Sequence, residues 1–181
     1  MNMAPRLPPL GELTEEQRAI RDALIAGPRG GVIGPFQIWL RRPELADVAD
    51  RFGSYCRFRS DGDAKLSELI IMMVASHTQA TFEWTHHYGH ALRAGLTEAQ
   101  LASIERGEQP VGLEERYAVA CCAVAEMLRT HRLTDLSYAT AQAHLGSEGV
   151  VDLVGIVGYY LFVSLTLNVF RVGETPEMEG T

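Results

Sequence analysis

Apolar residues recur at helical spacing along almost the whole chain, and no alternating run of β-branched residues is long enough to require a sheet. Thr14-Glu-Glu-Gln17 has the form of a capping box and opens a helix to about Ala26, which Gly27-Pro28 ends. A Gly- and Pro-rich connector follows, from Pro28 to Pro35. A short helix is expected from Phe36 to Arg41. Pro43 starts a longer one to Arg57, with Leu45, Val48, Phe52 and Tyr55/Cys56 at helical spacing. Ser60-Asp-Gly-Asp63 is a polar break. Two helices then come in tandem, about Ala64–Thr78 and Thr81–Ala94, and Gly95 is placed to cap the second.

Thr97-Glu-Ala-Gln100 is another capping box, for a short helix ending near Gly107. Leu113 to His131 reads as a long amphipathic helix. Thr134 caps a further helix that Gly146 stops, and Ser147 caps the last, Glu148 to about Phe170. The pattern predicts an all-α, single-domain helical bundle over residues 1–181, with about seven to nine helices. Its core spans about 40–170. Residues 1–34 supply an N-terminal helix and connector, and 173–181 form a mobile tail.

One stretch raises a membrane question. Leu153 to Phe170 carries no charge over eighteen residues, the lower edge of spanning length. Ser164, Thr166 and Asn168 dilute it, and no aromatic belt brackets it, so it reads as a buried core or subunit-interface helix. The opening MNMAPRLPPL lacks the basic region and apolar core of a signal peptide.

Composition narrows the function classes. The formal net charge is -7 and the pI about 5.3, which argues against a nucleic-acid footprint. The charge is uneven: residues 1–59 hold nine Arg against seven acids, whereas residues 60–181 hold seven basic residues against sixteen acids. Lys65 is the single lysine, so Schiff-base chemistry would depend on a residue beside a polar loop. Cys56, Cys121 and Cys122 form no CxxC, and an odd count opposes a disulfide framework. A reduced, cytoplasmic setting is expected. The connector's Arg-Gly-Gly-Val-Ile-Gly-Pro lacks the order of a phosphate loop and precedes no strand.

The chemistry concentrates in Glu68 to Gly95. Three of the six histidines, His86, His87 and His90, fall within five residues. Glu83, His87, His90 and Ala94 share one arc of their helix, while Trp84, Tyr88 and Leu92 gather on a neighbouring arc that reads as the packed side. On the preceding helix Glu68 shares a face with Met72, Ala75 and Gln79. That helix is apolar nearly all round, so Glu68 is carried inward, where a carboxylate needs a partner. A Glu four residues before a His can orient the imidazole and favour its proton, or can be an ordinary solvated i,i+4 pair. His86 and His90 also have the spacing of a two-His metal pair, with Glu83 or Glu68 to complete it, but HExxH is absent because position 87 is His. Cys121 and Cys122 lie on an apolar helix where inert thiols are the rule.

Glu68, Glu83-Trp84 and His87-xxx-Ala91-xxx-Gly95 followed by Leu-Thr-Glu-Ala-Gln resemble the carboxymuconolactone decarboxylase and alkylhydroperoxidase D-like superfamily. Gly158-Tyr-Tyr-Leu-Phe-Val-Ser-Leu-Thr-Leu-Asn168 is similar to the final helix of decarboxylase-like members. The resemblance implies a helical domain assembling into homotrimers or homohexamers, with an active site near the start of the HxxxAxxxG helix. The peroxidase branch carries Glu, then CxxC, then His. Here the two cysteine positions fall at Ala80 and Glu83, so thiol peroxidase activity is not expected. The decarboxylase branch places Glu four residues before His, as Glu83 and His87 stand. It departs at Ala91-Leu-Arg-Ala-Gly95, where true lactone decarboxylases tend to read Ala-x-Asn-Asn-Gly.

The expectation is therefore a cofactor-free enzyme doing proton transfer on a small anionic or aromatic-derived substrate, by decarboxylation, isomerisation or lactone opening. His87 would be the general acid/base, Glu83 its partner or second proton carrier, and Glu68 an anchor from the facing helix. His90, His86, Trp84 and Arg93 are candidates for substrate contact. A metal-dependent enzyme using His86/His90 and a non-catalytic oligomeric binding protein are the alternatives. No nucleic-acid or membrane partner is expected.

Overall fold

The computed structural model describes residues 4–58 and 63–173, and among these every regular element is a helix. In chain order they are α1 (Glu15–Ala26), α2 (Phe36–Trp39), α3 (Pro43–Phe58), α4 (Ala64–Thr78), α5 (Thr81–Arg93), α6 (Glu98–Glu105), α7 (Glu115–Thr130) and α8 (Asp135–Phe170). The expected polar break at Ser60–Asp63, apart from Asp63 itself, and the tail beyond Gly173 lie outside the described residues.

Local sequence accounts for most boundaries. Thr14 with Gln17, and Thr97 with Gln100, form reciprocal capping boxes that satisfy the first free amides of α1 and α6. Asp63 caps α4 through Leu66 N–H, and Thr134 caps α8 through Ser137 N–H. Some ends are shorter than the pattern predicts. Glu114 has extended backbone, so α7 starts after Leu113, and left-handed His131 (φ 59°) stops it.

The expected break at Gly146 is present. α8 runs from Asp135 to Phe170 as two helical segments that meet at a kink, where Gly146 adopts φ 74°, ψ 169°, a non-helical conformation open essentially to glycine alone. Ser147, expected to cap the next segment, instead accepts a hydrogen bond from Gln142 Nε2 at 3.0 Å.

α4 is the hub. It packs against α5, α8, α7 and α6, and nine of its residues from Leu66 to Ala75 are buried. That burial explains its near-continuous apolar sequence. One face joins the main core of Leu24, Phe36, Trp39, Ile70, Val74, Leu153, Tyr160 and Leu167; the other joins a second cluster of Leu69, Met72, Ala91, Leu96 and Leu101. Gln79 in left-handed conformation and Ala80 make a two-residue turn that folds α5 back along α4. α8 is the one described helix long and apolar enough to cross a membrane, and more than half of its most apolar stretch is buried in the core. Trp39 Nε1 donates to Thr166 Oγ1 at 3.0 Å and its ring stacks on Phe162, tying α2 to α8.

Candidate active site

The α4–α5 hairpin brings Glu68 and Glu83 to opposite edges of one imidazole. His87 Nδ1 lies 2.8 Å from Glu68 Oε2, and His87 Nε2 lies 3.0 Å from Glu83 Oε1. All three residues are buried, His87 to 1% exposure. The solvated i,i+4 alternative is thereby set aside: the pair faces the interior because α5 turns this arc toward α4 and α8.

Proton counting gives the state of the cluster. Each nitrogen–oxygen hydrogen bond needs a proton, and a neutral imidazole carries only one. Both bonds form if the ring is an imidazolium between two carboxylates, or if one carboxyl is protonated against a neutral ring. Either form carries net charge −1. Burial alone would depress His87 below an ordinary histidine, but the hydrogen bonds and charges of Glu68 and Glu83 outweigh it and raise its pKa.

A cavity of about 50 Å³ opens beside this cluster, room for a few water molecules or the reacting end of a small molecule. The connector supplies Arg29 and Ile33, α3 supplies Arg57, α5 supplies Phe82, Glu83, His86 and His87, and α8 supplies Tyr159, Tyr160 and Val163. Arg29 is held in place: its Nε lies 2.5 Å from Asp50, its guanidinium stacks 4.5 Å over Phe36, and it donates to the Tyr159 hydroxyl at 3.4 Å. Two guanidinium groups, those of Arg29 and Arg57, therefore border the same cavity as the net-negative cluster.

The other expected contact residues are placed differently. His86 lines the cavity and stacks on Phe82. His90 lies against His87, ring centroids 5.7 Å apart, but does not line the cavity. Burial is the largest influence on both His86 and His90, and their pKa values are lowered. Trp84 packs with Tyr88 on the second core cluster, and Arg93 is exposed. Neither borders this cavity, because their positions on α5 point away from the arc of Glu83 and His87.

Among the described residues no group of three or more His, Cys, Asp or Glu is placed to hold a metal, so the His86/His90 pair finds no third ligand. The cysteines stand apart from the cavity. Burial pushes the Cys56 and Cys121 thiols up to about 12, whereas Cys122 is exposed.

The sequence reading did not include Arg29, Arg57, Tyr159 or Tyr160 as site residues. The arginine surplus of residues 1–59 was the one sequence signal that pointed toward the first two. The tyrosines sit in an uncharged run that reads simply as core.

Residues 43–126 match the model of the carboxymuconolactone decarboxylase family. The fold is that of an uncharacterized peroxidase-related protein from Silicibacter sp. TM1040 (TM-score 0.77, 14% identity, covering 97% of this chain and 93% of that one). It is also similar to an uncharacterized peroxidase-related protein from Ralstonia eutropha JMP134 with an alkylhydroperoxidase AhpD core (TM-score 0.77, 13% identity, 97% and 93% covered). A third similar structure is the debrominase Bmp8, a cysteine-to-alanine variant in complex with 2,3,4-tribromopyrrole (TM-score 0.67, 14% identity, 96% and 93% covered). No curated protein matches the sequence. The protein is thus an all-helical bundle with a buried carboxylate–imidazole–carboxylate cluster. Over residues 43–126 it is similar to the carboxymuconolactone decarboxylase family, it shares its fold with the two peroxidase-related proteins, and its sequence contains no CxxC.

Proposed function

We propose that this protein is a cofactor-free enzyme that moves protons on a small anionic or aromatic-derived substrate, by decarboxylation, isomerisation or lactone opening, and that it is not a thiol peroxidase. The observation that carries this reading is that both ring nitrogens of His87 meet a carboxylate, with the cluster bordering a cavity. His87 holds the transferable proton. Glu83 lines the cavity, and its Oε2 makes no hydrogen bond to any described residue, so it is the group placed to pass that proton to substrate. Glu68 positions the ring from α4.

Arg29 and Arg57 favour an anionic substrate. The brominated pyrrole held by the similarly folded debrominase supports a small ring compound as guest. The apolar residues left exposed on α8 (Val151, Val154, Leu165) and α3 (Leu45, Val48) favour the homotrimer or homohexamer that the resemblance implies, in a cytoplasmic setting.

The test is turnover by the purified protein on a panel of carboxylated lactones and ring-cleavage acids, followed by carbon dioxide release and ultraviolet change. Turnover is expected from the wild type and is abolished in His87→Ala and Glu83→Gln. Activity that survives both substitutions overturns the assignment.

A further inference from the structure

Tyr160 is buried to 2% exposure on α8, and its ring stands edge-on to His87, centroids 5.5 Å apart at 90°. It lines the same cavity as Glu83. Its hydroxyl makes no hydrogen bond to any described residue. Nor is it sealed: among the described residues it is not one of the buried side-chain atoms that lack both solvent and a partner, as Arg41 Nε and Ser164 Oγ do. An unpartnered hydroxyl at this depth therefore opens toward the cavity. Its neighbour Tyr159 shows the contrast, since that hydroxyl is taken by Arg29.

A buried polar group without a partner is a cost that phenylalanine of the same shape would not carry. We propose that Tyr160 donates its hydrogen bond to an oxyanion of the substrate, so that the reacting group in this cavity is a carbonyl. This rests on the acid–base reading above. When a proton leaves the carbon beside the carbonyl for Glu83, the C–H electron pair forms a C=C bond and the carbonyl π pair moves onto oxygen. The resulting enolate oxygen accepts the Tyr160 O–H, and return of the proton to a carbon reverses the shift. In a decarboxylation the C–C pair left behind by departing carbon dioxide forms the C=C bond, the carbonyl π pair moves onto the same oxygen, and a proton then adds to the carbon. Burial pushes the Tyr160 phenol well above its ordinary value, so it keeps its proton and remains a donor at neutral pH. The substrate class is a small carboxylic acid or lactone bearing a carbonyl, its acidic group toward Arg29 and Arg57.

Oxalate, a planar dianion that mimics the enolate of a small oxo acid, is the probe. Its affinity for the full chain is measured by titration calorimetry in the wild type and Tyr160→Phe, alongside thermal unfolding. The expected result is binding by the wild type, weakened roughly tenfold or more in Tyr160→Phe, with a melting temperature unchanged or raised. A lowered melting temperature with unaltered affinity would make the hydroxyl structural and overturn the proposal. Equal affinities, or no wild-type binding at millimolar oxalate, overturn it as well. The readout is independent of turnover: weakened oxalate binding together with activity surviving in His87→Ala would sink the acid–base reading and leave the Tyr160 donor standing.

Discussion

His87 Nδ1 stands 2.8 Å from Glu68 Oε2, joining two residues nineteen positions apart across the α4–α5 hairpin. With Glu83 on the other nitrogen, a single imidazole ties together carboxylates from two helices. The packing of α5 on α4 is therefore coupled to protonation. A proton lost from the cluster breaks one of two buried hydrogen bonds and leaves two carboxylates facing a neutral ring.

Replacing Glu68 by Gln keeps the shape and removes one charge. Both the hydrogen bond and the charge of Glu68 raise the His87 pKa, so Glu68→Gln lowers it. Stability falls by about 1–3 kcal/mol, the range for weakening a buried charge-assisted bond. Imidazole resonances followed by nuclear magnetic resonance report the first effect and urea unfolding the second. An unchanged His87 titration would show that Glu68 has no electrostatic hold on the ring.

The pH dependence of stability follows from the same shifts. Folded His87 holds its proton more tightly than an unfolded histidine at 6.5. Its contribution is complete below that value and is lost as pH rises through the folded pKa, because the folded state then binds more protons than the unfolded one. His86 and His90 shift the other way: both are depressed in the fold, so acidification below 6.5 protonates the unfolded chain first and weakens folding. The expected melting-temperature profile peaks near the ordinary histidine value and falls on both sides for these three groups. His87→Gln should remove the alkaline fall attributable to His87; a profile identical to wild type above about pH 7 would contradict the linkage.

Gly53 lies where α3 crosses α8. A Cβ there would run into the Tyr159 hydroxyl and the Arg29 guanidinium. Gly53→Ala therefore displaces two cavity-lining side chains and costs about 1–3 kcal/mol by overpacking. Any turnover should fall together with thermal stability. A variant with wild-type melting temperature and activity would mean that α3 and α8 separate freely at this crossing.

The elements that local chemistry controls were legible in the sequence. Thr14 and Thr97 cap through hydroxyls only three residues from the amides they satisfy, and Gly146 kinks α8 because its backbone angles are closed to other residues. Glu83 and His87 were legible as a pair because one helical turn separates them. The inward placement of Glu68 followed from the apolar residues around it on α4. What remained hidden depends on contacts between distant segments. Arg29 reads as part of a Gly-rich connector, and only the path of that connector past α3 and α8 brings it to Asp50 and Tyr159. Tyr160 and Tyr159 are adjacent and alike in sequence, yet one ring stands edge-on to His87 while the hydroxyl of the other is taken by Arg29. Helical periodicity fixes which side of α8 a residue occupies, so the sequence by itself determined the helices, the Thr14, Thr97 and Thr134 caps and the Glu83–His87 pair. The packing of α8 across α4 and α5 decided which buried hydroxyl found a partner, because that depends on side chains more than a hundred residues away.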